Sequence, residues 1–243
     1  MVKLILLPGM DGTGELFAPL LRALGNSIES KVVRYSTDEP LGYFELLARV
    51  RAELPSATPF VLLGESFSGP LALMLAAEAP AGLRGIILCA SFATNPIPWL
   101  PRFAQKCVQP ALFRSVPRIV QIKALLGRYD TRELRDLLSK ANSTVRPEVL
   151  AARARAILSV DVLAEFKACA FPVLYIRGKQ DRVVGKHIVK SLLRERPSLQ
   201  VVALPAPHLV LQAAPEASAK AILAFASAGE NASPEMEMVC PPP

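Results

Sequence analysis

Strand-length apolar runs alternate with longer stretches of helical periodicity along this chain, and that alternation constrains the fold more than any other feature. The runs fall at residues 3–7, 31–35, 60–64, 85–90, 173–177 and 200–204. Their nearly continuous apolar character predicts strands buried on both faces, as in a parallel sheet, rather than strands with one wet side. Residues 15–24, 42–54, 69–79, 183–194 and 215–226 read as the crossover helices that such a sheet needs. The expected fold class is therefore α/β, a mostly parallel central sheet with helices on both faces. For 243 residues of 51% hydrophobic composition, one domain of ordinary size is expected, spanning residues 1–228.

Two segments break the pattern. After Ser91 the chain carries prolines at 96, 98, 101, 110 and 117, followed by stretches rich in Leu, Ala and Arg. Residues 92–170 are expected to form a helical cap inserted into the sheet, with amphipathic pieces at 116–126, 131–140 and 147–160. Residues 229–243 mix Glu, Ser, Pro and Met without periodicity, which predicts a disordered tail.

Composition narrows the function classes. Residues 92–170 hold 13 Lys or Arg against 6 Asp or Glu, while the remainder holds 15 of each, so the formal charge of +7 lies wholly in the cap. That segment has few aromatics and no nucleic-acid-binding motif, and nucleic acid is not an expected partner. Two distant histidines, His187 and His208, and four scattered cysteines form no ligand cluster, so no metal is expected. Cysteines without a CxxC pattern read as free thiols in a reducing compartment, and the expected location is cytoplasmic. The apolar opening runs directly into Pro8-Gly9, too short for a signal sequence, and no apolar stretch approaches a membrane span.

The chemistry centres on Gly64-Glu65-Ser66-Phe67-Ser68-Gly69, which joins the strand at 60–64 to the helix at 69–79. A nucleophile elbow requires this context. Its serine sits on a tight, strained turn, and the residues two before and two after must be small so that strand and helix pass closely. Gly64 and Ser68 are small, although a serine here could instead cap the following helix.

The segment resembles the α/β-hydrolase superfamily, departing from the plain GxSxG pattern at Ser68. The resemblance implies a triad in the chain order Ser, acid, His. His208, just beyond the strand at 200–204, stands where the superfamily's base belongs. His187 lies beside Lys186 and Lys190 and reads as a solvated surface residue. Asp181 closes the loop after the strand at 173–177, the placement of the superfamily's acid, although an aspartate there could also cap the next helix. Residues 91–95 offer no competing carboxylate. The resemblance further implies an oxyanion hole made by the backbone amides of Phe67 and of Met10, the latter in Leu7-Pro8-Gly9-Met10-Asp11-Gly12-Thr13-Gly14. That loop lacks the GxGxxG spacing and the lysine of a phosphate-binding loop.

The implied function is a hydrolase that cleaves a carboxylic ester or thioester through a Ser66 acyl-enzyme, without a cofactor. A serine nucleophile speaks against the dehalogenase and epoxide-hydrolase branches, which carry Asp at that position. Two alternatives remain open: an acyltransferase using the same triad, and a non-catalytic binding protein that keeps the fold. The expected substrate is a small-molecule or carrier-bound acyl ester. Arg102, Lys106, Arg114, Arg118, Lys123, Arg128, Arg132 and Arg135 make the cap basic. They form either a solvated face or a surface for an acidic acyl carrier or an anionic lipid layer.

Overall fold

A computed structural model describes residues 2–97, 99–100 and 102–231. In β1 (Lys3–Leu7), Leu4 and Leu6 project to one face and Ile5 and Leu7 to the other, because successive side chains alternate along a strand. All four are fully buried. The same two-sided burial recurs in β3 (Phe60–Glu65), β4 (Leu83–Cys89) and β5 (Val173–Gly178). By contrast, β2 (Ser30–Val32) and β6 (Gln200–Leu204) are partly exposed, as edge strands can be. The six strands form one parallel sheet in the order β2-β1-β3-β4-β5-β6.

Helices cover both faces of this sheet. On one face α1 (Ala18–Leu24) and α11 (Pro215–Asn231) bring Leu20, Leu24, Ile222 and Phe225 against Leu4, Leu6, Ile87 and Ile176. On the other, α2 (Tyr43–Glu53), α3 (Ser68–Ala77) and α9 (Lys186–Glu195) pack Leu46, Leu71, Ile188 and Leu192 with Ile5, Leu7, Leu62 and Leu88.

Between β4 and β5 lies a run of helices: α4 (Pro110–Ser115), α5 (Arg118–Leu125), α6 (Arg132–Ser143), α7 (Pro147–Ser159) and α8 (Leu163–Ala168). In α6 the Thr131 hydroxyl caps the first turn by accepting the Leu134 amide at 3.3 Å, and Leu134, Leu138 and Ala141 form its buried stripe.

Several boundaries differ from expectation for physical reasons. β2 ends at Val32 rather than 35, because the Tyr35 amide leaves the sheet to donate to Gly12 at 2.8 Å. The helix expected from 183 begins at Lys186, since the Val183 and Val184 amides are held by Asp181. α4, α8 and a one-turn helix α10 (Val210–Ala213) are too short to show a helical period. A tail was expected from 229, but α11 continues to Asn231; the rest of the expected tail, residues 232–243, lies outside the described residues.

Candidate active site

β3 delivers Ser66 at the carboxyl edge of the sheet, where ligands of open α/β sheets bind. Every residue from Phe60 to Leu73 is buried except Ser66, which stays half-exposed. The turn that lifts it out is strained: Ser66 has φ +48°, in the left-handed region that a non-glycine residue rarely enters. Surrounding contacts hold that strain in place. A Cβ on Gly64 would lie 2.5 Å from the Ser68 carbonyl oxygen, so strand and helix approach at a distance only glycine allows. The Ser91 hydroxyl, fully buried after β4, donates to the Ser66 carbonyl at 2.5 Å.

The Ser66 side chain does not cap α3; its Oγ lies 3.0 Å from His208 Nε2. On the far side of the ring, Nδ1 lies 3.1 and 3.0 Å from the two oxygens of Asp181. Both side chains are nearly inaccessible, at 4% for His208 and 2% for Asp181. Asp181 Oδ1 also accepts the amides of Val183 and Val184 at 2.8 and 2.9 Å, so this carboxylate caps the chain ahead of α9 while facing the imidazole. With the imidazole proton on Nδ1, Nε2 is free to accept the Ser66 proton, the arrangement that general-base activation requires. His187, the other histidine, is exposed on α9.

Met10 and Phe67, whose amides were expected to form an oxyanion hole, lie in two clamped segments. Phe67 is fully buried; Tyr43 stacks on its ring at 4.6 Å, Tyr35 meets it edge-on at 6.4 Å, and the Tyr43 hydroxyl donates to its carbonyl at 2.8 Å. The loop bearing Met10 is tied to the elbow by Ser68, whose hydroxyl donates to the Pro8 carbonyl and accepts from Tyr35 Oη at 2.7 Å. Ser68 therefore replaces the second glycine of the motif with a hydrogen bond that joins the two segments. Among the described residues, neither the Met10 nor the Phe67 amide is taken up by a protein acceptor.

Sequence reasoning did not find Arg153. It projects from α7, is fully buried, and donates from Nη1 to the carbonyls of Met10 and Asp11, both at 2.9 Å, and from Nη2 to Ser36 at 2.8 Å. Gly12, at φ +74°, makes room for it: a Cβ there would lie 2.5 Å from Nη1. Asp11 turns its carboxylate onto the Thr13 amide at 2.9 Å, and burial pushes its pKa up against the pull of Thr13 and Arg153.

Glu65, adjacent to the serine, is buried beneath the site. Gln212 Nε2 donates to its Oε1 at 2.9 Å and to the Leu16 carbonyl at 3.2 Å, and Oε2 has no partner. Desolvation raises its pKa to about 7, opposed chiefly by the Gln212 hydrogen bond. A groove of about 520 Å³ between α2 and α7, lined by Tyr43, Phe44, Met74, Ala156 and Val162, includes none of Ser66, Asp181 and His208. Among the described residues no group of His, Cys, Asp and Glu could hold a metal, and no helix is long and apolar enough to cross a membrane.

The chain is similar to known proteins in both sequence and fold. It is 26% identical over 207 residues, covering 79% of this chain and 69% of the relative, to a 2-(acetamidomethylene)succinate hydrolase of Mesorhizobium japonicum. The enol-lactonase of Burkholderia xenovorans LB400 has the same fold, with a TM-score of 0.74 at 19% identity over 93% of this chain and 92% of that one. So has a thermophilic esterase from Thermogutta terrifontis, with a TM-score of 0.75 at 18% identity over 94% and 90% of the two chains. A strained serine turn after β3, a parallel sheet and a match to the family over residues 4–221 lead to one assignment: this chain belongs to the alpha/beta hydrolase family.

Proposed function

We propose that the protein is a serine hydrolase that cleaves a carboxylic ester or thioester through a covalent acyl-enzyme on Ser66. The observation that carries this reading is the continuous contact from Asp181 through His208 to the strained Ser66 hydroxyl. His208 takes the serine proton as Oγ attacks the carbonyl, and Asp181 holds the ring tautomer and offsets the imidazolium charge that develops. The amides of Met10 and Phe67 receive the oxyanion of the tetrahedral intermediate. The imidazolium then protonates the leaving alcohol or thiol, and a water activated by the same imidazole releases the acid. The hydrolase, lactonase and esterase names carried by similar proteins agree in reaction class.

A panel of p-nitrophenyl esters from acetate to laurate tests the reading. Wild type is expected to turn over at least part of the series. Ser66→Ala and His208→Ala are each expected to lose roughly 10⁴-fold or more in kcat. Equal hydrolysis by wild type and variants would contradict the mechanism.

A further inference from the structure

The first half of the cap is more one-sided than the chain as a whole. Residues 92–129 contain six Lys or Arg and no Asp or Glu. The same stretch contains Trp99, Phe103, Leu112, Ile119 and Val120, five of the eight large hydrophobic side chains left exposed among the described residues. Trp99 and Phe103 are 76% and 70% exposed. These are not the residues that anchor the segment. Ile97, Leu100, Val108 and Phe113 do so by packing with Ala151, Ala154 and Leu158 of α7, and Ile122 and Leu126 do so by packing with Leu209. The segment thus has an inner apolar row buried against the body and an outer one left in water. An amphipathic cap explains the inner row and leaves the outer row without a partner.

The surrounding charges say what kind of partner fits. Among the described residues Lys106 and Lys123 have no acidic partner, while Arg114 reaches Glu148 at 2.7 Å and Arg118 donates to the Arg135 carbonyl at 3.3 Å. Cations beside exposed tryptophan, phenylalanine and aliphatic side chains match a lipid boundary: headgroup phosphates take the cations, and the acyl edge takes the apolar groups. An acidic carrier protein would answer the charges but offers no apolar depth for five large side chains within residues 99–120.

The outer row is also joined to the chemistry. α5 carries Ile119 and Val120, and its last carbonyl, that of Leu125, accepts the amide of Leu209 at 3.4 Å, next to His208. At about 1.5 Å of rise per residue, Ile119 lies about 9 Å along the helix from that contact. We propose that this outer cap face, with Trp99, Phe103, Leu112, Ile119 and Val120 set among Lys106 and Lys123, docks on an anionic lipid surface and brings the Ser66 site to lipid-borne acyl esters. The substrate class rests on the serine-hydrolase reading; the docking does not.

Trp99 is the sole tryptophan of the chain, so its emission reports on this face directly. The full chain is mixed with vesicles of pure phosphatidylcholine or of equal parts phosphatidylcholine and phosphatidylglycerol. A blue shift and co-sedimentation are expected with the anionic vesicles only, both reversed by high salt. Replacing Lys106 and Lys123 together by Gln should lower partitioning roughly 25-fold, at about fivefold per cation, with turnover of a soluble ester unchanged. Phe103→Ser should weaken binding with every charge in place. Equal affinity for both vesicle types, an unshifted Trp99 emission, or capture of an acidic acyl carrier protein without vesicle binding would each overturn the proposal. Vesicle binding by Ser66→Ala separates the two readings: if binding holds while wild type hydrolyses no soluble ester, the hydrolase reading fails and the docking surface stands.

Discussion

Asp181 meets two demands with one carboxylate: it holds the amides of Val183 and Val184, and it faces both bonding distances to His208 Nδ1. The helix-capping and acid roles weighed for it in the sequence are thus compatible, whereas for Ser66 they are not, because its hydroxyl is on His208. Glu65 makes the stability of the fold depend on pH. Its pKa is raised to about 7 by burial, above the ordinary carboxyl value of 4.5. The neutral form is therefore favoured in the folded state, and stability from this group is fully present below pH 4.5 and lost as pH rises through about 7. The loss should be on the order of 3 kcal/mol by the alkaline side. Chemical denaturation of Glu65→Gln from about pH 5 to pH 9 should show a flatter profile than wild type and higher stability at the alkaline end. Parallel profiles would contradict the assignment. The grouping of Ser66, Asp181 and His208 was legible because each lies in the turn or loop that follows a strand and few rivals exist. Ser91 and Arg153 were not, because their partners are backbone carbonyls distant in sequence, which leave no residue-type signal.

Among the elements, the loop after β1 depends on α7. Three carbonyls, of Met10, Asp11 and Ser36, share the planar fork of Arg153, a geometry lysine does not reproduce. Arg153→Lys leaves some of them buried without a donor, at about 2–3 kcal/mol in total. Thermal melts should show a drop of roughly 5–10 °C, and, on the role proposed for the Met10 amide, kcat should fall with KM nearly unchanged. A variant with wild-type melting and turnover would show that the loop holds its shape without the arginine. Strand and helix positions were readable wherever a run was long enough to display its period. They failed in α4, α8 and α10, which are too short, and at the end of β2, where a long-range bond from Tyr35 to Gly12 redirects the chain.

For the molecule as a whole, the parallel sheet with helices on both faces was implied by the alternation of runs and helices, since parallel strands buried on both faces need crossovers on both sides, whereas the strand order β2-β1-β3-β4-β5-β6 was not. What the alternation could not convey was how the segment between β4 and β5 engages the sheet: α7 inserts a buried guanidinium behind the loop of Met10, and α5 touches the residue after His208. The segment supports the loop of Met10 from behind and, among the described residues, carries Lys106 and Lys123 without an acidic partner near exposed Trp99, Phe103, Leu112, Ile119 and Val120. Intact-mass analysis after reaction with a fluorophosphonate tests the covalent serine mechanism proposed for Ser66. One adduct per chain is expected, mapped to Ser66, absent from Ser66→Ala and formed far more slowly by His208→Ala. No adduct on wild type, or an adduct that survives Ser66→Ala, would contradict that mechanism.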